Sequence, residues 1–260
     1  MNILVSNDDG INASGIRHLI RALQGVEGAK IYVCAPDGQR SASGHSITSA
    51  GGPIFLHDVE IPGVEWAVST SGTPADCVKS GIKMLKHHHD IEIDVVFAGI
   101  NHGSNIGTDV YYSGTVSAAF EGAFNHVPSV AVSVGTHHPT EEQLANCETL
   151  IRDLCSRVVP GLGQHTVLNV NFPNVPPEEL KGLRVCRLGP REYNEKFDIL
   201  TNPRGEKYFW YTGTTVHYEG LPEDLDVIAH QDGYVSITPM KMDVTDDSLL
   251  DSVEAWDLKF

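Results

Sequence analysis

The chain has 260 residues, of which 41% are hydrophobic and 20% are charged, a composition typical of an ordinary globular protein. Acidic residues outnumber Lys and Arg by 34 to 18, so the formal net charge is −16. A field of this sign repels polyanions, and we therefore predict no nucleic-acid partner. A small phosphorylated ligand stays compatible with this charge if a cation neutralises the phosphate locally.

The length predicts one large α/β core, residues 1–180, completed by a C-terminal extension, residues 181–260. The start of the chain lacks the basic and apolar regions of a secretion signal, and no window reaches the roughly 18 apolar residues of a membrane span. The five cysteines are scattered and odd in number, which predicts reduced, packed thiols. We therefore expect a cytoplasmic protein without a membrane partner.

Apolar runs and helical periodicities alternate along the predicted core. The run over 3–6 is followed by apolar residues at helical spacing over 16–23, and then by a β-rich run over 30–35. Strand–helix–strand units of this kind form a parallel sheet, so we predict an α/β fold. Further strands are predicted over 66–70, 95–99, 129–134 and 167–171, and further helices over 74–86, 114–125 and 141–158.

Beyond residue 180 the sequence changes to aromatic and charged segments, such as 208–211, that predict hairpin strands. The extended segment 234–238 is compatible with pairing to the chain's own sheet and equally with pairing to a second subunit. The sequence therefore predicts a β-rich C-terminal extension that serves oligomerisation, and it leaves the pairing of this segment open.

Asp8 and Asp9 directly follow the first predicted strand, at the edge where an open α/β sheet binds its ligand. A turn at Gly10 allows both carboxylates to face one ion, and oxygen ligands of this kind suit Mg²⁺, Mn²⁺ or Ca²⁺. The structural alternative for this motif is an Asx turn that caps the following loop.

The loop after the second strand, residues 35–46, opens on the same edge of the sheet. Its serines and glycines, Ser43 and Gly44 among them, offer hydroxyl and backbone N–H groups to an anion, and Arg40 offers a positive charge. His45 is a candidate proton shuttle near neutral pH. The alternative is a surface loop without a catalytic role.

The segment after the third strand contains Thr73, Pro74 and Asp76, a pattern that N-terminal capping of a helix explains by itself. The same helix N-terminus also offers free N–H groups to a phosphate. The run 87–89, three histidines, lies at the far end of this predicted helix, and we interpret it as solvated surface.

After the fourth strand, Asn101 offers a carbonyl oxygen to a metal ion. Residues 113–115 open a helix whose first N–H groups suit a phosphate. The residues of that helix that we predict to face the core are Val116, Ala119, Phe120, Ala123 and Phe124.

These strand-end motifs together resemble the SurE family of nucleotidases. The resemblance runs in recognisable order through the first half of the chain and continues in two C-terminal segments. The segments are ILVSNDDG at 3–10, APDGQRSASGHSIT at 35–48, SGTPADCV at 71–78, AGINHGSNIGTDVYYSGTVSAAFEGA at 98–123, GEKYFWYTG at 205–213 and GYVSITP at 233–239.

The resemblance implies a Rossmann-like three-layer α/β/α core with a mostly parallel sheet. It also implies a homodimer or homotetramer in which C-terminal segments exchange between subunits. It further implies one divalent metal ion per subunit, Mg²⁺ or Mn²⁺. The metal ligands carry over onto Asp8, Asp9, Ser41 and Asn101.

The implied reaction is hydrolysis of nucleoside 5′-monophosphates, with 3′-monophosphates and short polyphosphates as further candidate substrates. Either a water or Asp8 itself is the candidate nucleophile. A non-catalytic nucleotide-sensing module is the alternative function, whereas a nicotinamide dehydrogenase is disfavoured because Asn-Asp-Asp-Gly replaces the glycine-rich turn. The candidate catalytic residues are Asp8, Asp9, Asn101 and His45, and the candidate phosphate-binding residues are Ser43, Gly44, Ser113, Gly114 and Thr115.

Overall fold

The computed structural model describes residues 1–48, 51–256 and 258–259 of the chain. The predicted alternation of strands and helices is present. The strands are β1 (Asn2–Ser6), β2 (Lys30–Pro36), β3 (Leu56–Asp58), β4 (Trp66–Thr70), β5 (Val95–His102), β6 (Ser129–Val134), β7 (Thr166–Phe172), β8 (Leu183–Val185), β9 (Tyr193–Thr201), β10 (Lys207–Thr215) and β11 (Val235–Lys241). The α-helices are α1 (Ser14–Gln24), α2 (Pro74–His89), α3 (Gly114–Phe124), α4 (Glu141–Asp153), α5 (Asp226–Gln231) and α6 (Leu250–Glu254).

Nine strands form one sheet in the order β3-β4-β2-β1-β5-β6-β7-β11-β8, and β9 and β10 form a separate hairpin. The strands from β4 to β7 in this order are all parallel. Among the described strands of this sheet, antiparallel pairs occur only toward the borders, between β3 and β4 and between β11 and β7. The mostly parallel sheet is confirmed, and the carboxyl ends of its central strands share one edge.

Helices cover both faces of the sheet. Successive residues of a strand point to opposite faces, and β1 shows this directly. Ile3 packs in one apolar cluster with Leu19 of α1 and Leu144 of α4, whereas Leu4 packs in another with Val78 of α2 and residues of α3. The three-layer α/β/α architecture is therefore confirmed.

Two details of the helices differ from the prediction. The helix expected over 141–158 keeps α geometry only to Asp153, and a π-helical turn over Leu154–Val158 follows; Pro160 cannot continue an α-helix. Phe124 was predicted to face the core, but it lies at the last position of α3 and is 47% exposed. Its ring stacks on His45 instead.

The C-terminal segment that sequence reasoning left open joins the chain's own sheet. Strand β11 pairs with β7 on one side and with β8 on the other. The hairpin of β9 and β10 is confirmed, and all its strand residues are exposed. All five cysteines are free and buried, as predicted. Among the described residues, we find no helix with the length and apolarity needed to cross a bilayer.

Helix α5 carries a partly buried histidine, His230. Its Nε2 atom is buried without a hydrogen-bond partner in the described part of the chain, and a Cβ on Gly135 would lie 2.6 Å from that atom. Loss of solvation, with a smaller effect from Arg191, lowers the pKa of His230 from 6.5 to about 4. The folded state therefore favours the neutral imidazole.

We expect the unfolding free energy to fall as the pH drops from 6.5 to about 4, because the unfolded chain then binds a proton at His230 that the folded chain does not bind. This contribution is fully present above pH 6.5 and is on the order of 3 kcal/mol. In His230→Gln, the slope of stability against pH over this window should decrease by up to about 1.4 kcal/mol per pH unit. Urea unfolding of both proteins at a series of pH values measures this slope. An equal slope in the wild type and in His230→Gln would exclude His230 as the titrating group.

Candidate functional site

The turn after β1 is built by Asn7 and Gly10. The Asn7 side-chain amide donates a hydrogen bond to the Gly10 carbonyl at 2.9 Å, and Gly10 adopts a φ of +97° that favours glycine. A Cβ on Gly10 would lie 3.0 Å from Gly38, so the turn and the loop after β2 are in close contact. Asn7 thus makes the turn, and the carboxylates of Asp8 and Asp9 are not needed for it.

The Asp8 carboxylate lies between β1 and the N-terminus of α3. Asp8 is 4% exposed, and its Oδ1 accepts a hydrogen bond from the Thr115 hydroxyl at 2.5 Å. A Cβ on Gly114 would lie only 2.8 Å from the Asp8 Cβ, so only glycine permits this close approach. Burial, with a contribution from Asp9, raises the pKa of Asp8 to about 6. The hydrogen bonds from the described residues therefore do not fully offset the loss of solvation of the Asp8 charge.

Asp9 connects the turn after β1 to the end of β5. Its Oδ2 accepts a hydrogen bond from the His102 backbone N–H at 3.0 Å. The neighbouring Asn101 is 8% exposed and donates its amide nitrogen to the Gly103 carbonyl at 2.7 Å. That bond does not use the Asn101 Oδ1 atom. The pairing of β5 with β6 shifts register between Ala98 and Asn101, and this irregularity sets the position of Asn101.

The loop of residues 37–48 lies over Asp8. The Arg40 backbone N–H donates to the Asp8 carbonyl at 2.7 Å, and the Gly44 N–H donates to the Tyr112 carbonyl at 3.0 Å. The Ser43 hydroxyl would lie 3.0 Å from a Cβ on Gly114, so Ser43 reaches the start of α3. Ser41 is exposed, and its hydroxyl accepts a hydrogen bond from Gln39.

The start of α3 is capped by Ser113. The Ser113 hydroxyl accepts a hydrogen bond from the Val116 N–H at 3.0 Å, so this hydroxyl is already used within the helix. The first turn of a helix leaves backbone N–H groups without intrahelical partners, and they favour an anion. Gly114 and Thr115 place this turn beside Asp8, and the phosphate site stays a prediction.

His45 does not contact Asp8 in this arrangement. Its Nε2 forms a hydrogen bond with Glu121 Oε2 at 3.0 Å, and its ring stacks on Phe124. Glu121 follows Thr115 by six residues along α3, a rise of about 9 Å. The role of His45 as a proton donor therefore stays a prediction.

Two side-chain oxygens near the turn after β1 and the start of α3 are buried without hydrogen-bond partners among the described residues. They are Asn7 Oδ1 and Ser43 Oγ. Asn7 precedes Asp8 in the chain, and Ser43 reaches Gly114 beside the Asp8 carboxylate, whose raised pKa shows that its charge is incompletely compensated. Such a set of hard oxygens fits Mg²⁺ or Mn²⁺, because a divalent cation compensates buried negative charge. Asp8, Asp9 and Asn101 each offer an oxygen of this kind at the carboxyl edge of the sheet, and Ser41 would offer one only if its exposed hydroxyl turned inward.

Sequence reasoning missed an asparagine network that holds the segment after β5. Asn169 and Asn171, two residues apart on β7, both donate to the Asn105 carbonyl, at 2.7 and 3.1 Å. The Asn105 side chain in turn donates to Ser133 of β6. The available signal was the pair of amides at strand spacing within the apolar run of β7.

The motif at the start of α2 has the predicted structural role. Thr73 and Asp76 form a capping box, with Pro74 in the first turn. Asp76 also accepts hydrogen bonds from the Thr48 backbone and hydroxyl, which sequence reasoning missed. Residues 87–89 end α2 and are exposed, so their interpretation as surface is confirmed.

These features define the class of protein. The chain is a Rossmann-like α/β protein with paired carboxylates, a serine-containing loop and a helix N-terminus at the carboxyl ends of its parallel strands. The family model described as survival protein SurE matches residues 3–195, and the chain belongs to the SurE family.

Individual relatives match this chain over nearly its full length. The chain is 40% identical to the 5′-nucleotidase SurE of Carboxydothermus hydrogenoformans, covering 98% of this chain and 96% of the relative. It is 44% identical to the 5′-nucleotidase SurE of Pelotomaculum thermopropionicum, covering 98% and 94%. The crystal structure of the SurE protein from Aquifex aeolicus superimposes with a TM-score of 0.81 at 33% identity, covering 99% of this chain and 100% of that one.

Proposed function

We propose that this protein is a divalent-cation-dependent 5′-nucleotidase that hydrolyses nucleoside 5′-monophosphates to a nucleoside and phosphate. The observation that carries the proposal is the buried Asp8 carboxylate, which contacts the N-terminus of α3. The Ser43 hydroxyl, buried without a partner among the described residues, reaches the same helix start. The relatives named as 5′-nucleotidases support the substrate class. Nucleoside 3′-monophosphates and short polyphosphates are further candidate substrates.

Asp8, Asp9, Ser41 and Asn101 would hold one Mg²⁺ or Mn²⁺ ion per subunit. When bound, such an ion polarises a phosphoryl oxygen and lowers the pKa of a water molecule. The geometry that supports this ligand set is the pair of contacts that join the turn after β1 to α3 and to β5. The Thr115 hydroxyl orients the Asp8 carboxylate by donating to its Oδ1.

The backbone N–H groups at the start of α3 would bind the substrate phosphate. Gly114 brings this turn close to Asp8, and the N-terminal end of the helix dipole favours a negative group. Ser43 and Gly44 would contact the phosphate from the opposite side, because the Ser43 hydroxyl has no partner within the described part of the chain and reaches Gly114. The chain thus offers positioned donors to a ligand that its net charge of −16 would otherwise repel.

Phosphate release from AMP tests this function. We expect turnover with Mn²⁺ or Mg²⁺ and a loss of turnover when the metal is removed by a chelator, restored by adding the metal back. Parallel assays with 3′-AMP and tripolyphosphate define the substrate range. A non-catalytic nucleotide-sensing module would bind AMP in the presence of the metal without releasing phosphate, and that result would overturn the proposal.

A second copy of this chain is the proposed protein partner, in a homodimer or homotetramer. The exposed apolar side chains of the β9–β10 hairpin support this assembly, because isolated monomers rarely leave such surfaces in water. Light scattering coupled to gel filtration measures the mass, and a monomer at micromolar concentration would contradict it. The exposed side chains are Phe197, Ile199, Leu200, Phe209, Trp210 and Tyr211.

We also infer a cytoplasmic location. The support is that all five cysteines are free and buried, which suits a reducing compartment. Fractionation of cells that produce the tagged protein tests this inference, and recovery outside the cytoplasm would contradict it.

A further inference from the structure

Glu121 is a buried carboxylate that the proposed reaction does not use. It lies on α3 and is 2% exposed. Its carboxylate accepts hydrogen bonds from Lys79 at 3.0 Å, from Asn125 at 3.1 Å and from His45 at 3.0 Å. Burial opposes its ionisation, but the bonds from His45 and Lys79 hold the pKa of Glu121 below its usual value. Glu121 is therefore a fixed negative charge on the flank of the site.

His45 connects this charge to the loop of residues 37–48. Its imidazole forms the hydrogen bond with Glu121 and stacks on Phe124, with ring centroids 5.0 Å apart and planes inclined by 7°. Phe124 is otherwise exposed, so His45 stacks on a ring at the protein surface. The two contacts, both with residues of α3, fix the orientation of the His45 side chain.

Other contacts of the same loop use mainly backbone groups and short hydroxyls. Thr73 donates to the Ser46 carbonyl at 2.7 Å, and the Thr48 hydroxyl donates to Asp76 at 2.6 Å. Between these anchors and the Arg40 contact, Ala42 adopts a φ of +54°. A left-handed conformation is unfavourable for alanine, and it persists only when the surroundings impose it. The segment that carries Ser41 and Ser43 therefore depends on its anchors.

We propose that Glu121 is a positioning residue that holds the loop of residues 37–48 in place through His45, and so keeps Ser43 beside the start of α3 and the segment with Ser41 over Asp8. This inference rests on the proposed function of that site. In this role His45 acts by position and transfers no proton. Lys79 and Asn125 support the role by keeping the Glu121 carboxylate charged and correctly oriented.

Three variants test the proposal. His45→Ala removes both contacts, Glu121→Gln removes the charge, and His45→Gln keeps a donor near the position of Nε2 but does not titrate near neutral pH. The matched control is Glu148→Gln, which changes another largely buried carboxylate paired with a histidine, His18, on the opposite side of the sheet. Amide hydrogen exchange of residues 37–48 is followed by mass spectrometry in the full-length protein, with AMP kinetics measured in parallel.

We expect His45→Ala and Glu121→Gln to increase exchange within residues 37–48 by about tenfold and to raise the KM for AMP by a similar factor, with a smaller change in kcat. In His45→Gln, the exchange of residues 37–48 and the KM for AMP should both stay close to their wild-type values. Glu148→Gln should leave exchange in this loop unchanged.

Unchanged loop exchange in His45→Ala would overturn the proposal. So would a large loss of kcat in both His45→Ala and His45→Gln while the loop stays protected in His45→Gln, because that result would make His45 a proton donor. If the wild-type protein released no phosphate from AMP, the proposed function would fail, and the exchange measurements would still decide whether Glu121 holds the loop.

Discussion

Asp8→Asn is expected to reduce AMP hydrolysis by about a thousandfold, since a hard-cation site that loses a carboxylate loses several kcal/mol of charge stabilisation. The folded structure should survive, because asparagine has nearly the volume of aspartate and still accepts the Thr115 hydrogen bond. The stability should even rise slightly, since burial that raises the pKa of Asp8 to about 6 disfavours its charge. Initial rates at saturating Mn²⁺ and urea unfolding without metal measure the two effects.

The matched control is Asp94→Asn, which removes a carboxylate that accepts the Asn2 backbone N–H near the opposite end of β1. This variant should keep the wild-type rate, because it leaves the carboxyl edge of the sheet unchanged. Near-normal turnover by Asp8→Asn in a metal-free buffer would contradict both the metal site and the role of Asp8.

Gly15→Ala is expected to destabilise the protein by roughly 3 kcal/mol or more. Gly15 lies in the first turn of α1, where that helix passes the backbone of β5. A Cβ at this position would lie 2.0 Å from the Ile100 carbonyl oxygen and 3.0 Å from its carbon. Both atoms belong to the backbone of a buried strand, so the helix itself would have to move away from the sheet. The midpoint of urea unfolding measures this loss.

Gly161→Ala provides the comparison for that substitution. A Cβ on Gly161 would meet no heavy atom of the described residues within 4 Å, so the unfolding free energy should change by less than about 0.5 kcal/mol. Equal stabilities of the two alanine variants would mean that α1 and β5 separate at little cost, contrary to their close packing.

The alternation of strands and helices was predictable because hydrophobic periodicity is a local signal. Each parallel strand is a short apolar run, and each covering helix repeats its apolar residues at helical spacing. The position of Asp8 and Asp9 at the end of β1 follows from the same reasoning, since the carboxyl ends of parallel strands share one edge. For this reason the fold and the centre of the candidate site could be predicted before any contact was known.

Contacts between distant segments were not predictable in this way. The register shift in β5 that places Asn101 has no local pattern of its own. The pairing of His45 with Glu121 joins residues 76 positions apart, and the stacking of His45 on the exposed ring of Phe124 at the end of α3 likewise depends on a distant loop. Ser41 illustrates the same limit, because its role depends on the direction of one hydroxyl on an exposed loop.

The borders of the large sheet have a consequence for solubility. Each border is a strand of three residues, Leu56–Asp58 on one side and Leu183–Val185 on the other. So few unpaired backbone groups give a poor template for fibril growth, and natural sheets often end this way. The β9–β10 hairpin instead presents nine-residue strands in an isolated pair. Unwanted β-type aggregation should therefore begin at the hairpin when it lacks a partner, while the borders of the sheet stay inert.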